Sequence, residues 1–213
     1  MQIRLQQLAP TFIEEEKISG SQVWKNDIVF LPGEKIQIVA PSGSGKTSFM
    51  HFLYGMRNDY TGAVIYDDQP ISSFDAEDFS TYRKQYVSIV FQDLRLFTEQ
   101  TVLQNLEIKR QLDPYHIESR IGAMVKRLGI ASKLNKPCKT CSYGEQQRIA
   151  IIRSLQQPFD FLLLDEPFSH LDDANRKLAM ELMEEEADQR KATIILADLK
   201  KTDHYNATKT LNL

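Results

Sequence analysis

The chain has no apolar run approaching the roughly 20 residues that a membrane-crossing helix needs. Met1–Pro10 holds no apolar core behind a basic start, so no secretion signal is expected there and the cytosol is the expected compartment. Thiol chemistry is scarce. The two cysteines, Cys138 and Cys141, have C-x-x-C spacing but lack the second pair of a metal site, and they are read as reduced bystanders. There is no excess of positive charge: 26 Lys and Arg against 29 Asp and Glu give a net charge of −3. That argues against a broad nucleic-acid footprint, and no nucleic-acid partner is expected. Internal repeats and low-complexity tails are also missing. What remains, 213 residues with 42% hydrophobic and 26% charged, suits one domain or one domain with two lobes.

The strongest stretch is Ala40-Pro41-Ser42-Gly43-Ser44-Gly45-Lys46-Thr47. It follows the apolar Lys35–Val39 and precedes the helical Ser48–Tyr54, giving the order strand, glycine loop, helix. Gly43 and Gly45 let backbone N–H groups approach a polyphosphate without a Cβ in the way. The helix that starts there adds its positive dipole end. Lys46 then reaches the outer phosphates and the Thr47 hydroxyl suits the Mg²⁺ that travels with a nucleotide, which is the phosphate-loop pattern. Alanine stands at the first position, where glycine is usual, and is expected to be tolerated because it only ends the strand.

Ile3–Leu8 alternates as a half-buried strand, and Val23–Phe30 reads as a second strand closed at Pro32-Gly33. Glu14–Lys17 with Gly20 reads as a solvated loop. Phe12 is placed where a ring stacks on an adenine, with packing at a sheet edge as the other reading. Gly62–Tyr66 and Tyr86–Phe91 read as strands, Asp75–Tyr82 as a helix, and Gln92 as a polar strand end facing a ligand. Thr98–Gln157 carries helical periodicity, with Ile121, Met124, Val125 and Leu128 on one face, and no strand. Pro114 and Pro137 punctuate it.

Ser142 and Glu145 form a capping box, so a helix starts there. The segment is either a plain cap or a second anion site made by the same exposed N–H groups, the Ser142 hydroxyl and Gly144. Phe161–Leu164 has the continuous apolar character of a central parallel strand and delivers Asp165 and Glu166 to its carboxyl end. Asp165 can hold Mg²⁺ through its water shell, and Glu166 can orient and polarise a water at the γ-phosphate. Asp172 caps a helix with Leu178 and Leu182 inward and Glu184–Glu186 outward. Ala192–Ala197 and Thr208–Leu213 close the chain as strands.

In this order, Ala40–Thr47, Gln92 after Ser88–Phe91, Cys141–Arg148, Phe161–Pro167 and Ser169–Asp172 resemble the ATP-binding-cassette ATPases over essentially the whole chain. The resemblance implies an α/β fold: a phosphate-loop NTPase core sheet with an N-terminal antiparallel β portion and an inserted helical lobe. The expected division is a core lobe of 1–92 and 158–213 and a helical lobe of 93–157. It implies ATP held by Phe12, Ser42, Gly43, Ser44, Gly45, Lys46, Thr47 and Ser48, with Ser142, Gly144 and Gln146 contacting ATP on a second copy. Mg²⁺ falls to Thr47, Gln92 and Asp165, and catalysis to Glu166, Gln92 and Lys46.

The short length and the segment Asp93–Phe97 before Thr101–Asn105 look most like the ATPases of lipoprotein-release, macrolide-export and cell-division complexes. The implied partners are a second copy or a related ATPase subunit and an integral membrane subunit, with the chain peripheral on the inner face of the cell membrane. A groove near Gln92, Leu94, Leu96 and Phe97 is the expected docking place. Three departures stand out: Cys141 for leucine, Tyr143 for glycine, and Leu196-Ala197-Asp198 where threonine-histidine-aspartate is usual. Neither His170 nor His204 is an obvious substitute for that histidine. ATP hydrolysis coupled to dimer closure is therefore the expected function. A pairing module with little hydrolysis is the alternative, resting on Ala197. Neither the long coiled-coil insertion nor the second cassette of a repair or translation ATPase is present.

Overall fold

The computed structural model describes residues 1–203 and 205–213; His204, weighed above, lies outside the described residues. Two sheets form. In the antiparallel one, β1 (Ile3–Pro10) lies between β2 (Ile28–Phe30) and β4 (Tyr60–Tyr66), with β5 (Gln69–Pro70) outside β4. In β1, Ile3 and Leu5 are buried while Arg4 lies between them half-exposed, as the alternation requires. Gln7 then adopts φ 48 and the register against β4 shifts between Gln6 and Ala9. Gly62, at φ 82, makes room for this bulge, because a Cβ there would stand 2.3 Å from the Gln6 carbonyl oxygen.

The second sheet is parallel, in the order β6 (Val87–Val90), β7 (Phe161–Asp165), β8 (Thr193–Asp198), β3 (Lys35–Val39), β9 (Lys209–Asn212). Its central strands are buried on both faces, which is why Phe161–Leu164 is continuously apolar. Phe161, Leu163, Ile195 and Ala197 face one core, shared with β1 and with α2 (Lys46–Leu53). Leu162, Leu164, Ile194 and Leu196 face the other. That second core is roofed by α4 (Val102–Leu112), α5 (Glu118–Arg127), α6 (Tyr143–Ser154) and α7 (Asp173–Arg190). Ile121, Met124, Val125 and Leu128 all point into it. Asp75 caps α3 (Ala76–Gln85), Ser142 and Glu145 make the expected capping box on α6, and Asp172 caps α7.

Four expectations need correction. The second strand is only Ile28–Phe30: the Asn26 side-chain amide donates to the Ser21 and Trp24 carbonyls and Lys25 takes φ 58, so Val23 and Trp24 enter the core from a turn. The acidic run is one helical turn, α1 (Glu15–Ile18), held by the burial of Ile18. Leu178 is exposed, because the buried stripe of α7 runs through Ala179, Leu182, Met183, Glu186 and Ala187. Glu186 is consequently inward, with 0% exposure.

That carboxylate joins α7 to the first turn of α5 and the chain just ahead of it. It lies 2.7 Å from His116 Nε2 and accepts from Arg120 Nε at 3.1 Å and Arg190 Nη1 at 2.6 Å. Burial alone would push its pKa up, but these donors outweigh burial and hold it down at about 2. A depressed carboxyl stabilises the fold above its unfolded pKa near 4.5, and that share is lost as pH falls toward about 2. Glu186→Gln is expected to cost about 3 kcal/mol at neutral pH and to flatten acid unfolding in this window. Thermal melts at pH 7 and pH 3 check it. An unchanged melting temperature at pH 7 would show that the network contributes nothing.

Candidate functional site

The carboxyl ends of β3, β6 and β7 converge at one place, as ligand sites in parallel sheets do. The loop 40–45 leaves β3 with Gly43 at φ 80 and Gly45 at φ 98. Gly45 is required twice over. Besides the left-handed backbone, a Cβ there would lie 2.9 Å from Ile13 Cδ1 and 3.2 Å from Trp24 Cζ2. Trp24 packs edge-on against Phe49 and Phe52 of α2 and its indole N–H donates to the Ser44 carbonyl at 3.4 Å, so the aromatic core fixes the loop. Ser44 Oγ donates to the Pro41 carbonyl at 2.8 Å. Ala40 needs no left-handed backbone, and its N–H donates to the Asp198 carbonyl at 3.1 Å, so alanine fits.

Lys46 is 5% exposed and its ammonium donates to the Ala40 and Pro41 carbonyls at 2.9 and 3.0 Å, with Glu166 Oε1 at 3.3 Å. Thr47 Oγ1 donates to Gln92 Oε1 at 3.1 Å, tying the helix start to the end of β6. A cavity of about 320 Å³ opens here, lined by Phe12, Ser42, Gly43, Gly45, Lys46, Thr47, Ser48, Gln92 and Glu166. The sequence-predicted phosphate, base and catalytic residues of one chain thus surround one space. Ser44 stands behind its wall through the Pro41 bond.

Asp165 is 1% exposed, and neither carboxylate oxygen has a hydrogen-bond partner among the described residues. Burial, with the Glu166 charge beside it, pushes its pKa up to about 6. An orphaned buried carboxylate is costly unless a cation or proton answers it. With the oxygens of Thr47 and Gln92 beside it, the donor set is the hard, all-oxygen kind that suits Mg²⁺, so these residues fit the expected ion.

Glu166 takes φ 47, a left-handed backbone rare for glutamate, and its N–H donates to the Ala197 carbonyl at 2.9 Å. A residue that sequence reasoning missed holds the other side. Gln147, 1% exposed, donates to the Glu166 carbonyl at 3.4 Å and to Ser169 Oγ at 3.3 Å, and accepts from the His170 N–H at 3.0 Å. The sequence carried one signal of it, a glutamine on the inward face of α6 one and two turns before Ile151 and Ser154.

Ser142, Gly144 and Gln146 do not line the cavity. Ser142 is exposed at the start of α6. Gly144 lies against the turn after Glu166, where a Cβ would stand 2.8 Å from the His170 carbonyl. The Gln146 amide donates to the Cys138 and Cys141 carbonyls of its own chain at 3.2 and 3.0 Å. Tyr143 packs against His170 with ring centroids 4.1 Å apart and the planes inclined at 51°, while Cys141 is buried. Leu94, expected in a docking groove, is 3% exposed and part of the core, because Leu94 and Arg95 take φ 58 and 47 and turn that side chain inward. Phe97, 55% exposed, stays outside and lines a groove with Ile108 of α4.

A glycine loop at the end of β3, a threonine–glutamine bridge to the end of β6 and an Asp-Glu pair at the end of β7 make the arrangement of a phosphate-loop nucleotide site. Residues 27–169 match the family model for the ABC transporter, and the chain belongs to that family as an ATPase cassette. The lipoprotein-releasing system ATP-binding protein LolD of Treponema denticola is 30% identical over 167 residues, 77% of this chain and 74% of that protein. The macrolide export ATP-binding/permease protein MacB of Nitrosomonas europaea is 31% identical over 173 residues, 80% of this chain but 26% of that protein. The dimeric structure of the bacterial cassette MJ0796 superposes with a TM-score of 0.80 over 93% of this chain and 88% of that one, at 22% identity, and shares its fold. Among the described residues, no helix is long and apolar enough to cross a membrane.

Proposed function

We propose that the chain is the ATP-hydrolysing motor subunit of a membrane complex, closing as a dimer around two Mg-ATP and passing that closure to an integral membrane subunit. The observation that carries it is the convergence of Lys46, Thr47, Gln92 and Glu166 on one cavity with the orphaned Asp165 carboxylate behind them. In this reading Phe12 stacks the adenine, and the loop amides with Ser42, Ser44 and Ser48 hold the phosphates. Thr47, Gln92 and Asp165 would hold Mg²⁺, which would supply charge neutralisation for the phosphates. Lys46 exchanges Glu166 for phosphate oxygens, and the released Glu166 carboxylate polarises a water.

Ser142 and Gly144 sit at the start of α6 away from this chain's own phosphate loop; the capping box takes the Ser142 and Glu145 N–H groups, and the Gly144 N–H with the Ser142 hydroxyl serves ATP held by a second copy. The helical lobe, 93–157, then moves relative to the core lobe, 1–92 and 158–213, when ATP joins the two copies. The Phe97 and Ile108 groove on that lobe takes the membrane subunit, which keeps the chain peripheral on the inner membrane face. The pairing-module alternative has no observation of its own beyond Ala197.

Affinity purification from cells tests both parts. The unmodified chain is expected to bring down an integral membrane subunit and to bind Mg-ATP. Phe97→Asp is expected to lose the membrane subunit while Mg-ATP binding stays within about twofold, because an exposed groove residue leaves the core untouched. Full retention of the membrane subunit by this variant removes the docking part, and a purified chain that does not bind Mg-ATP removes the whole proposal.

A further inference from the structure

Arg57 lies in the loop between α2 and β4, outside every motif read above. Its guanidinium carbon stands 4.4 Å from the centroid of the Phe12 ring. Its Nε donates to Asp59 Oδ1 at 2.9 Å and its Nη2 to Asp59 Oδ2, a forked pair that fixes the plane. Its remaining arm, Nη1, donates to Ser48 Oγ at 2.9 Å. Asp59 also holds the backbone ahead of the ring, since its carbonyl accepts from the Thr11 N–H at 3.1 Å and the Thr11 hydroxyl at 3.0 Å. Phe12 and Ser48 both line the cavity and Arg57 does not.

We infer that Arg57 is a positioning residue for the purine base of the bound nucleotide: clamped by Asp59, it backs the Phe12 ring from outside the cavity and holds it in register with Ser48. Three physical effects follow. A ring 49% exposed on a short loop would otherwise sample several rotamers, and each side chain frozen on binding costs affinity, so a ring already fixed binds a base more tightly. A cation behind the ring draws on its π face and favours an electron-rich purine on the opposite face. The Ser48 oxygen, accepting from Arg57, is left with its own proton to donate to a phosphate. Because the guanidinium is forked onto Asp59, Arg57 acts chiefly through the ring and not as a free charge on the phosphates.

The inference rests on the ATP reading above, and the test separates the two. Calorimetric titration compares Mg-ATP with Mg-tripolyphosphate, which keeps the phosphates and lacks the base. Arg57→Met is expected to weaken Mg-ATP about fivefold while Mg-tripolyphosphate changes by less than about twofold, the span of one solvent-exposed cation–π contact. Retained tripolyphosphate binding also shows that the phosphate loop of the variant is folded. On a Phe12→Ala background the same substitution is expected to change Mg-ATP binding by less than about twofold, since the ring through which it acts is gone. Equal weakening of both ligands, an unchanged Mg-ATP affinity, or the full loss without the ring overturns the inference. An unmodified chain that binds neither ligand removes the nucleotide reading and this inference with it.

Discussion

Glu166→Gln is expected to reduce Mg-ATP turnover by about 10²–10⁴, the usual span of a general base, and to leave Mg-ATP bound between two copies. Glutamine preserves the shape and the left-handed backbone at φ 47, so the loop geometry is retained while the carboxylate proposed to polarise water is lost. The substitution also removes the ion pair of Glu166 with Lys46 at 3.3 Å. Lys46 keeps the Ala40 and Pro41 carbonyls as partners, and its ammonium is released toward the phosphates. Binding is therefore expected to hold or tighten as hydrolysis stops, which is the condition for trapping a dimer. Steady-state phosphate release and size-exclusion chromatography in Mg-ATP check the two halves. Retention of more than a tenth of the rate would show that another group activates the water. A purely monomeric elution, with and without the membrane subunit, would remove dimer closure from the proposal.

The phosphate loop, the Asp165-Glu166 pair and the α6 cap were legible in the sequence because each is a local pattern whose residues are close along the chain. The parallel sheet was legible through the continuous apolar run of β7. The features that escaped are those that depend on distant pairings. The acidic run of α7 reads as outward, although Glu186 lies four residues after Leu182 on the buried stripe. His116 and Arg120, its partners, come from another part of the chain. Leu94 reads as a groove residue, but consecutive left-handed residues turn it inward, and no propensity encodes them at Leu and Arg. Arg57 looks like a surface arginine until β1 pairs with β4, Pro10 opposite Tyr60, and brings Phe12 to it. The link from Gln147 to Glu166 likewise exists only once α6 is brought against the turn that follows β7.

Ala197→His is the substitution expected to raise activity. Ala197 pairs in register with Asp165, and paired residues of neighbouring strands share a face, so a side chain at 197 is aimed to the same side as the Asp165 carboxylate. That side is the one on which α2 and the phosphate loop lie. A histidine placed there is expected to donate to the γ-phosphate, and a transition-state donor of this kind is worth about 10²–10³ in rate. The unmodified chain is accordingly expected to bind Mg-ATP through Lys46, Thr47 and the loop amides yet turn it over slowly. The fold sets a counterweight, since Ala197 is 0% exposed, and forcing a larger ring into a packed position costs about 1–3 kcal/mol. The variant is therefore expected to melt at a lower temperature and, at a temperature where it stays folded, to show kcat raised about 10²-fold with KM for Mg-ATP little changed. Glu166→Gln on the same background is expected to abolish the gain, because the new donor stabilises charge that the glutamate's water must first create. Ordinary turnover by the unmodified chain, with no gain from Ala197→His, would mean that some other group already performs the histidine's task and that the slow-motor expectation is wrong.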